Sequence, residues 1–386
     1  MEQPVVAKGN QRIAIVAGEP SGDRLGAGLI RALRRRHPDL EFSGIGGPDM
    51  DAAGCRLLYP MERIGVIGLD GLWGKLRDIL AIRRDLARRW RRNPPAAFVG
   101  VDVPDFNLGL EAKLRSGGIP CVHYVSPTVW AWRGYRIRRI RRAVDHMLAL
   151  FPFEAEYYRR CGIPVTCVGH PMADEIRAPD PASARRALGL PDGGLVLALL
   201  PGSRRSEVCR LAEPILLAAR RLARQHPEAR FVLPFAGPEA REAFEREAGD
   251  TGDLPILLLD GRSRLALEAA DVAVLASGTA SLEAALLQVP HVVVYRLSPF
   301  SYWLMRRMRL VDHFAMPNHL LPTPLVPELI QHDANPRNIV ESVCAYLQNP
   351  DRMRDIKAAF ADIQTALHRD ADRMAAEVVS GLMKRP

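Results

Sequence analysis

The chain lacks most of what would mark a secreted, metal-held or membrane-spanning protein. Its six cysteines, at positions 55, 121, 161, 167, 209 and 344, are scattered with no C-x-x-C pair. Free buried thiols are therefore expected, not a disulfide framework or a zinc site. No H-E-x-x-H or comparable histidine cluster appears, which argues against a structural metal. No apolar run approaches the roughly 18 residues that a bilayer span needs. The opening MEQPVVAKGNQR has no charged-then-apolar build, so a signal peptide is not expected and the cytoplasm is the expected location. Repeats of roughly 20–50 residues are also missing, which excludes a solenoid.

What is present is a globular composition with a strong basic excess. At 386 residues the chain is too long for one ordinary core, so two domains are expected. The net charge of +9 leaves nucleic acid, anionic lipid and phosphorylated small molecules as partner classes. The excess is concentrated. Trp73 to Arg92 holds eight Lys/Arg against two Asp, and Arg133 to Arg142 holds six Arg and no acid.

Strand and helix patterns alternate along both halves. In the first, Arg12–Ala17, Phe42–Ile45, Phe98–Val101, Cys121–Val125 and His146–Ala149 read as strands. Leu25–Arg36, Trp73–Arg92 and Arg136–Ala143 read as helices. In the second, Leu195–Leu200, Arg230–Pro234, Ile256–Leu259, Val272–Ala276 and His291–Tyr295 are strands, with helices at Glu207–Gln225, Arg264–Ala269 and Ala280–Gln288. Helical patterns close the chain from Asn338. Such alternation predicts an α/β protein of two Rossmann-like domains facing a cleft. The expected division is residues 1–170, a donor-type domain at 171–345, and C-terminal helices at 346–386 that pack on the first domain or a partner subunit. Gly169–Ser183, rich in Pro, Asp and Ser, reads as the linker.

Ligands of parallel sheets bind at the carboxyl ends of strands, so the loops there carry the chemistry. GEPSGD (Gly18–Asp23) is neither a dinucleotide fingerprint nor a P-loop. Gly18 permits close approach of a ligand, and Glu19 disfavours a phosphate, so a hydroxyl-bearing ligand is expected. The alternative is an ordinary glycine turn with Ser21 or Asp23 as helix cap. FVGVDVPDFN (Phe98–Asn107) places Asp102 just past a buried run, where partial desolvation improves a general base. Asp105 is its rival, or else a cap. His123 and His170 could shuttle protons, or simply belong to the core. HYVSPTVWAWR (His123–Arg133) adds Ser126 and Trp130 beside that acid, with Trp132, as an aromatic platform or a packed wall.

In the second half, LPGSRRSE (Leu200–Glu207) offers Ser203 and the forked cations Arg204 and Arg205 at a helix start. A solvated arginine pair is the alternative. ASGTASLE (Ala276–Glu283) offers Ser277, Gly278 and Thr279 to a pyrophosphate, and Glu283 to the hydroxyls of a ribose. Glu283 could equally be a first-turn acid serving the helix dipole. Two anion-friendly helix starts in one domain point to a nucleoside diphosphate. Asp370–Asp372 forms a D-x-D, read as a solvated helix face rather than a metal site.

A lipid-facing element is also expected. Leu76, Ile79, Leu80, Arg83 and Leu86 trace one face of the Trp73–Arg92 helix, with Trp73 and Trp90 near its ends. The apolar VIGLDGLW (Val66–Trp73) precedes it. Basic amphipathic helices with interfacial Trp bind anionic membrane surfaces; packing on the helix's own sheet is the alternative. FSYWLMRRMRL (Phe300–Leu310) is a second candidate.

Taken in order, VAGEPSGDRLGAGLIRAL (Val16–Leu33), FVGVDVPDFN, HYVSPTVWAWR, LALLPGSRRSEV (Leu197–Val208), LASGTASLE (Leu275–Glu283) and MPN (Met316–Asn318) resemble the lipid A disaccharide synthase family of bacterial glycosyltransferases. Each loop alone is a weak signal; the ordered set spans nearly the whole chain. The resemblance implies a B-type glycosyltransferase fold, UDP-2,3-diacylglucosamine as donor and 2,3-diacylglucosamine 1-phosphate as acceptor. It implies lipid A disaccharide 1-phosphate and UDP as products, in Gram-negative-type cells, with no cofactor or metal and no nucleic acid. It places the acids on Glu19 and Asp102, the donor loops on Ser203, Arg204, Arg205, Ser277, Gly278, Thr279 and Glu283, and an amide on Asn318. Peripheral attachment to the anionic inner-membrane surface follows, while a homodimer is left open. Other UDP-N-acetylglucosamine-using transferases or a 2-epimerase of similar fold are the enzymatic alternative. A basic binding protein without catalysis is the non-enzymatic one.

Overall fold

Short Val/Ile/Leu runs separated by helices can pair only as parallel strands joined by crossovers, and both sheets are built that way. The computed structural model describes residues 12–65, 72–129, 136–249, 251–298, 302, 303, 307 and 313–383. The chain forms two units: one runs up to Asp174 and resumes at Leu367, and the other is Glu175–Ala366.

The first unit holds β1 (Arg12–Ala17), β2 (Glu41–Gly46), β3 (Cys55–Pro60), β4 (Ala97–Val101), β5 (Cys121–Tyr124), β6 (His146–Ala149) and β7 (Val165–Cys167). Their order is β3-β2-β1-β4-β5-β6-β7, with every ladder parallel. The second holds β8 (Val196–Leu200), β9 (Arg230–Phe235), β10 (Ile256–Asp260), β11 (Val272–Ala276), β12 (His291–Tyr295) and β13 (Glu328–Ile330). Their order is β10-β9-β8-β11-β12-β13, again parallel throughout. Both orders reverse once, between β1 and β4 and between β8 and β11. Those are the switch points where a doubly wound sheet opens a crevice at its carboxyl edge.

Sequence patterning finds the central strands because helices cover them on both faces. β4, β8 and β11 are buried at every residue. It misses β3, β7 and β13, which lie at sheet edges, are partly exposed, and so lack an apolar run. Two helices begin earlier than the apolar pattern suggests. Pro20–Arg36 starts five residues before Leu25, and a second helix starts at Pro104, because proline is favoured in a first turn. The linker-like Gly169–Ser183 contains two short helices, Pro171–Glu175 and Pro181–Ala187, and the division between units falls within it.

The helix Leu72–Arg92 spends most of its apolar face inside the first unit. Ile82, Leu86 and Trp90 are 2%, 0% and 5% exposed, and the Trp90 ring lies 5.4 Å from that of Phe98. Trp90 is thus a core residue and not an interfacial anchor. Among the described residues, Leu76, at 47% exposed, is the large apolar side chain this helix leaves in water. Residues 66–71, the Trp73 side chain, Trp130, Trp132 and most of Phe300–Leu310 lie outside the described residues.

The last helix, Ala371–Met383, packs on Pro20–Arg36 and completes the first unit. Asp174 caps it, accepting from the amides of Arg369 (2.9 Å), Asp370 (2.9 Å) and Ala371 (2.7 Å). Asp372 is not on a solvated face. It presses onto Gly28, where a Cβ would come within 2.4 Å of either carboxylate oxygen. Burial raises its pKa from 3.8 to about 6, with Asp174 and Asp370 adding and Arg31 and Arg35 opposing.

A carboxyl whose pKa is higher folded than unfolded favours the folded state most below pH 3.8, and that contribution is lost as pH rises through about 6. Asp372→Asn is therefore expected to raise the unfolding temperature at pH 8, with the gain shrinking toward pH 4. Equal shifts at both pH values in thermal denaturation would show that ionisation of Asp372 is not the cause.

Candidate active site

At the first switch point, β1 and β4 end side by side, with Ala17 in register with Val101. Gly18 follows β1 and is buried; a Cβ there would sit 2.7 Å from Val103 Cγ2, so only glycine allows the two strand exits to lie this close. Glu19 is the N-cap residue of the next helix and is exposed, as is Ser21. Neither Ser21 nor Asp23 caps that helix. Asp23 is 1% exposed and accepts from the amides of Gly47 (2.7 Å), Asp49 (2.9 Å) and Met50 (3.1 Å), so it fastens the turn after β2.

Asp102 follows β4 and is half-buried. Asp102 and Val103 both adopt left-handed backbone, at φ 52° and 43°. For a β-branched residue such as Val103 this is a strained conformation, worth about 1–3 kcal/mol. Two groups hold it. The Asp102 amide donates to Tyr124 O at 2.8 Å. The Asn107 amide nitrogen, wholly buried, donates to Asp102 O at 2.7 Å and lies 3.3 Å from both Val16 O and Val101 O. Asn107 thus bridges the ends of β1 and β4 while setting the carbonyl that precedes Val103.

Asp105 takes a different place. It lies in the first turn of Pro104–Arg115, its side chain is 68% exposed, and Arg136 pairs with it at 2.8 Å. His123 is fully buried, with Nδ1 2.7 Å from Glu111 Oε1, and burial pushes the Glu111 carboxyl up. It belongs to the core. His170 is neutral at physiological pH, since burial lowers its pKa to about 4. Ser126 is buried as well, its hydroxyl 3.0 Å from Pro127 O and 3.1 Å from the Tyr158 hydroxyl.

The second switch point is cationic. Leu200 at the end of β8 is in register with Leu275 of β11. Ser203, Arg204 and Arg205 are exposed at the start of the helix Arg205–Gln225. Two loop amides are already in use: Ser203 N and Arg204 N donate to Glu207 Oε2 at 3.2 and 3.3 Å. The side chain of Arg204 is 79% exposed and 3.5 Å from Glu207. What this loop presents outward is therefore chiefly side-chain charge.

After β11, Ser277 donates to Phe314 O at 3.0 Å, and Gly278 and Thr279 are exposed at the start of the helix Thr279–Leu286. Glu283 is 14% exposed, with Arg264 Nε at 3.4 Å and Ser263 Oγ at 3.5 Å. Asn318 is 4% exposed and spends its whole amide inside the fold. It donates to Val326 O (2.9 Å) and Glu328 Oε1 (2.7 Å), and accepts from Leu325 N (3.1 Å) and Val326 N (3.0 Å). That makes it a brace for the loop before β13. Sequence reading missed Asn107, Glu207 and Glu328, whose roles appear only once their backbone partners are in space.

Two doubly wound units, each with polar side chains at its switch point, define the B-type glycosyltransferase fold. Solved structures of that build include UDP-GlcNAc 2-epimerase from Neisseria meningitidis (TM-score 0.63, 13% identity, 97% of this chain and 100% of that one). MurG of Acinetobacter baumannii is another (TM-score 0.56, 14% identity, 96% and 99%). At such identity the likeness is one of fold. Sequence carries the assignment further: residues 13–381 match the family model for lipid-A-disaccharide synthetase, and the chain belongs to that family. It is 50% identical over 372 residues to the lipid-A-disaccharide synthase of Alkalilimnicola ehrlichii, covering 95% of this chain and 97% of the relative. It is 48% identical over 379 residues to that of Aromatoleum aromaticum, covering 97% of each. The chain is accordingly a glycosyltransferase of lipid A biosynthesis.

Removing the Asn107 amide strands carbonyls on two strands at once. Asn107→Ala is expected to cost about 2–4 kcal/mol of stability and to lower kcat more than it raises KM. A fully active variant with an unchanged denaturant midpoint would show that Asn107 does not hold the Asp102 turn.

Proposed function

We propose that the chain transfers the sugar of UDP-2,3-diacylglucosamine to 2,3-diacylglucosamine 1-phosphate with inversion, forming a β-1',6-linked disaccharide 1-phosphate and UDP. The observation that carries this is the opposite chemistry of the two switch points: carboxylates at one, exposed arginines and helix starts at the other. Asp102 takes the proton of the acceptor 6-hydroxyl. The oxygen then forms its bond to the donor anomeric carbon as the bond to UDP breaks, and the electron pair leaves on the diphosphate. Arg204, Arg205, the Ser203 hydroxyl and the helix start at Gly278–Thr279 stabilise the charge that develops there. Glu19 orients acceptor hydroxyls, and Glu283 receives the ribose. Asn318 serves the donor site indirectly, by bracing its loop.

The reaction takes place at an anionic membrane surface, with the protein attached peripherally. The +9 net charge, the basic helix Leu72–Arg92 and exposed Leu76 support that reading. Among the described residues no helix is long and apolar enough to cross a membrane.

Asp102→Asn is expected to lower turnover at least 1,000-fold, on the order of the general-base contribution, while UDP still binds. Near-normal UDP release by this variant would move the base to another group. Replacing Arg204 and Arg205 together by Ala is expected to weaken UDP binding at least tenfold in calorimetry; unchanged affinity would refute their role. Equal consumption of unacylated UDP-N-acetylglucosamine and acylated donor would favour an epimerase or a transferase of soluble sugars.

A further inference from the structure

Three helices of the first unit bring arginines together near the Asp102 loop. Arg83 comes from Leu72–Arg92, and Arg136 and Arg139 come from the segment around Ile137–Ala143. They meet against the helix Pro104–Arg115. Gly109 makes the meeting possible: a Cβ there would lie 2.5 Å from Arg83 Nη1 and 3.4 Å from Arg139 Nη2. The acids nearby are already committed. Asp105 is held by Arg136 at 2.8 Å, and Glu111 Oε1 lies against His123 at 2.7 Å. Among the described residues, neither Arg83 nor Arg139 has a carboxylate partner. Arg83 Nη1 reaches only the Asp105 carbonyl, at 3.5 Å, and Arg83 Nε is buried with no acceptor.

Arg139 acts electrostatically on the buried Glu111 carboxyl, but among the described residues no ion pair joins an acid to either guanidinium, and two guanidiniums beside one glycine form a positive site. We propose that Arg83 and Arg139 bind a phosphate monoester, and that in the reaction this is the phosphate of the acceptor sugar. A monoester near neutral pH carries close to two charges and three acceptor oxygens, which matches two forked cations better than a carboxylate does. Burial, and then repulsion from Arg139 and Arg84, lower the proton affinity of Arg83; a bound dianion relieves both. Position suits the assignment. Gly109 lies five residues along the helix from Pro104, about 7.5 Å of axial rise, and Asp102 stands two residues before that helix start. An acceptor can then set its hydroxyl at Asp102 and its phosphate at the arginines. This identification of the ligand rests on the proposed function. The other source of a phosphate group is a phospholipid headgroup, whose diester carries one charge.

The test compares acylated acceptor with and without its 1-phosphate, in wild type, Arg139→Ala, Arg83→Ala and Arg83→Lys. The expected result is at least a tenfold fall in the preference for the phosphorylated acceptor, expressed through KM and not kcat, partly restored in Arg83→Lys. An unchanged preference, or equal losses with both acceptors, would overturn the proposal. Loss of binding to phosphatidylglycerol vesicles with the preference intact would also overturn it and assign the arginines to the membrane. If wild type turns over neither acceptor, the proposed function fails separately. Inorganic phosphate then decides the site: stabilisation of wild type but not of the Arg83→Lys/Arg139→Ala double variant supports it, and equal stabilisation refutes it.

Discussion

A buried side-chain amide holds the carboxyl edge of the first sheet together. Asn107 reaches carbonyls at the ends of both β1 and β4, the strands between which the winding direction reverses. A buried carbonyl that loses its donor costs about 1–3 kcal/mol. The same amide offsets the strain of two successive left-handed residues, Asp102 and Val103. Strain of this kind persists only where the surroundings over-determine it. Here the surroundings are the glycine exit of β1, the Tyr124 carbonyl and Asn107. Asp102, the base we propose, is presented by a turn whose shape its neighbours dictate.

The two switch points use the same topology for opposite electrostatics. The loops after β1 and β4 carry exposed Glu19 and half-buried Asp102; those after β8 and β11 carry exposed arginines and the starts of helices. Two acids stand beside β8 and β11 as well: Glu283 pairs with Arg264, and Glu207 caps the loop amides of Ser203 and Arg204 and so shapes the turn from which the arginines project.

Much of this was legible from the chain alone, for physical reasons that also explain what was not. Central strands announce themselves because both faces are buried, and so Asp102, Ser203 and Ser277 could be placed at strand exits by counting. Edge strands β3, β7 and β13 carry no such signature. Side chains that act across the fold are harder still. Asp23 looks like a cap for its own helix and serves the turn after β2 instead. Trp90 has the spacing of an interfacial tryptophan, yet Phe98 claims it. Asp372 appears polar and solvated until Gly28 is seen beneath it. Asn107 stood within a recognised motif, but nothing in its neighbours along the chain says that its partners include a residue 91 positions away.

The discontinuity of the first unit has a consequence for how the protein is made. Its final helix, Ala371–Met383, is translated only after the whole of Glu175–Ala366. On the ribosome the second unit has its complete sequence first, while the face of Pro20–Arg36 that receives Gly28's neighbour Asp372 waits uncovered. Domains fold as units during synthesis, so vectorial translation inverts the apparent order: the part that begins the chain is the last to be finished. The entropic cost of closing so long an excursion grows only slowly with its length. The delay is therefore one of time, and it leaves an apolar helix face open to chaperones until the C-terminal turns arrive.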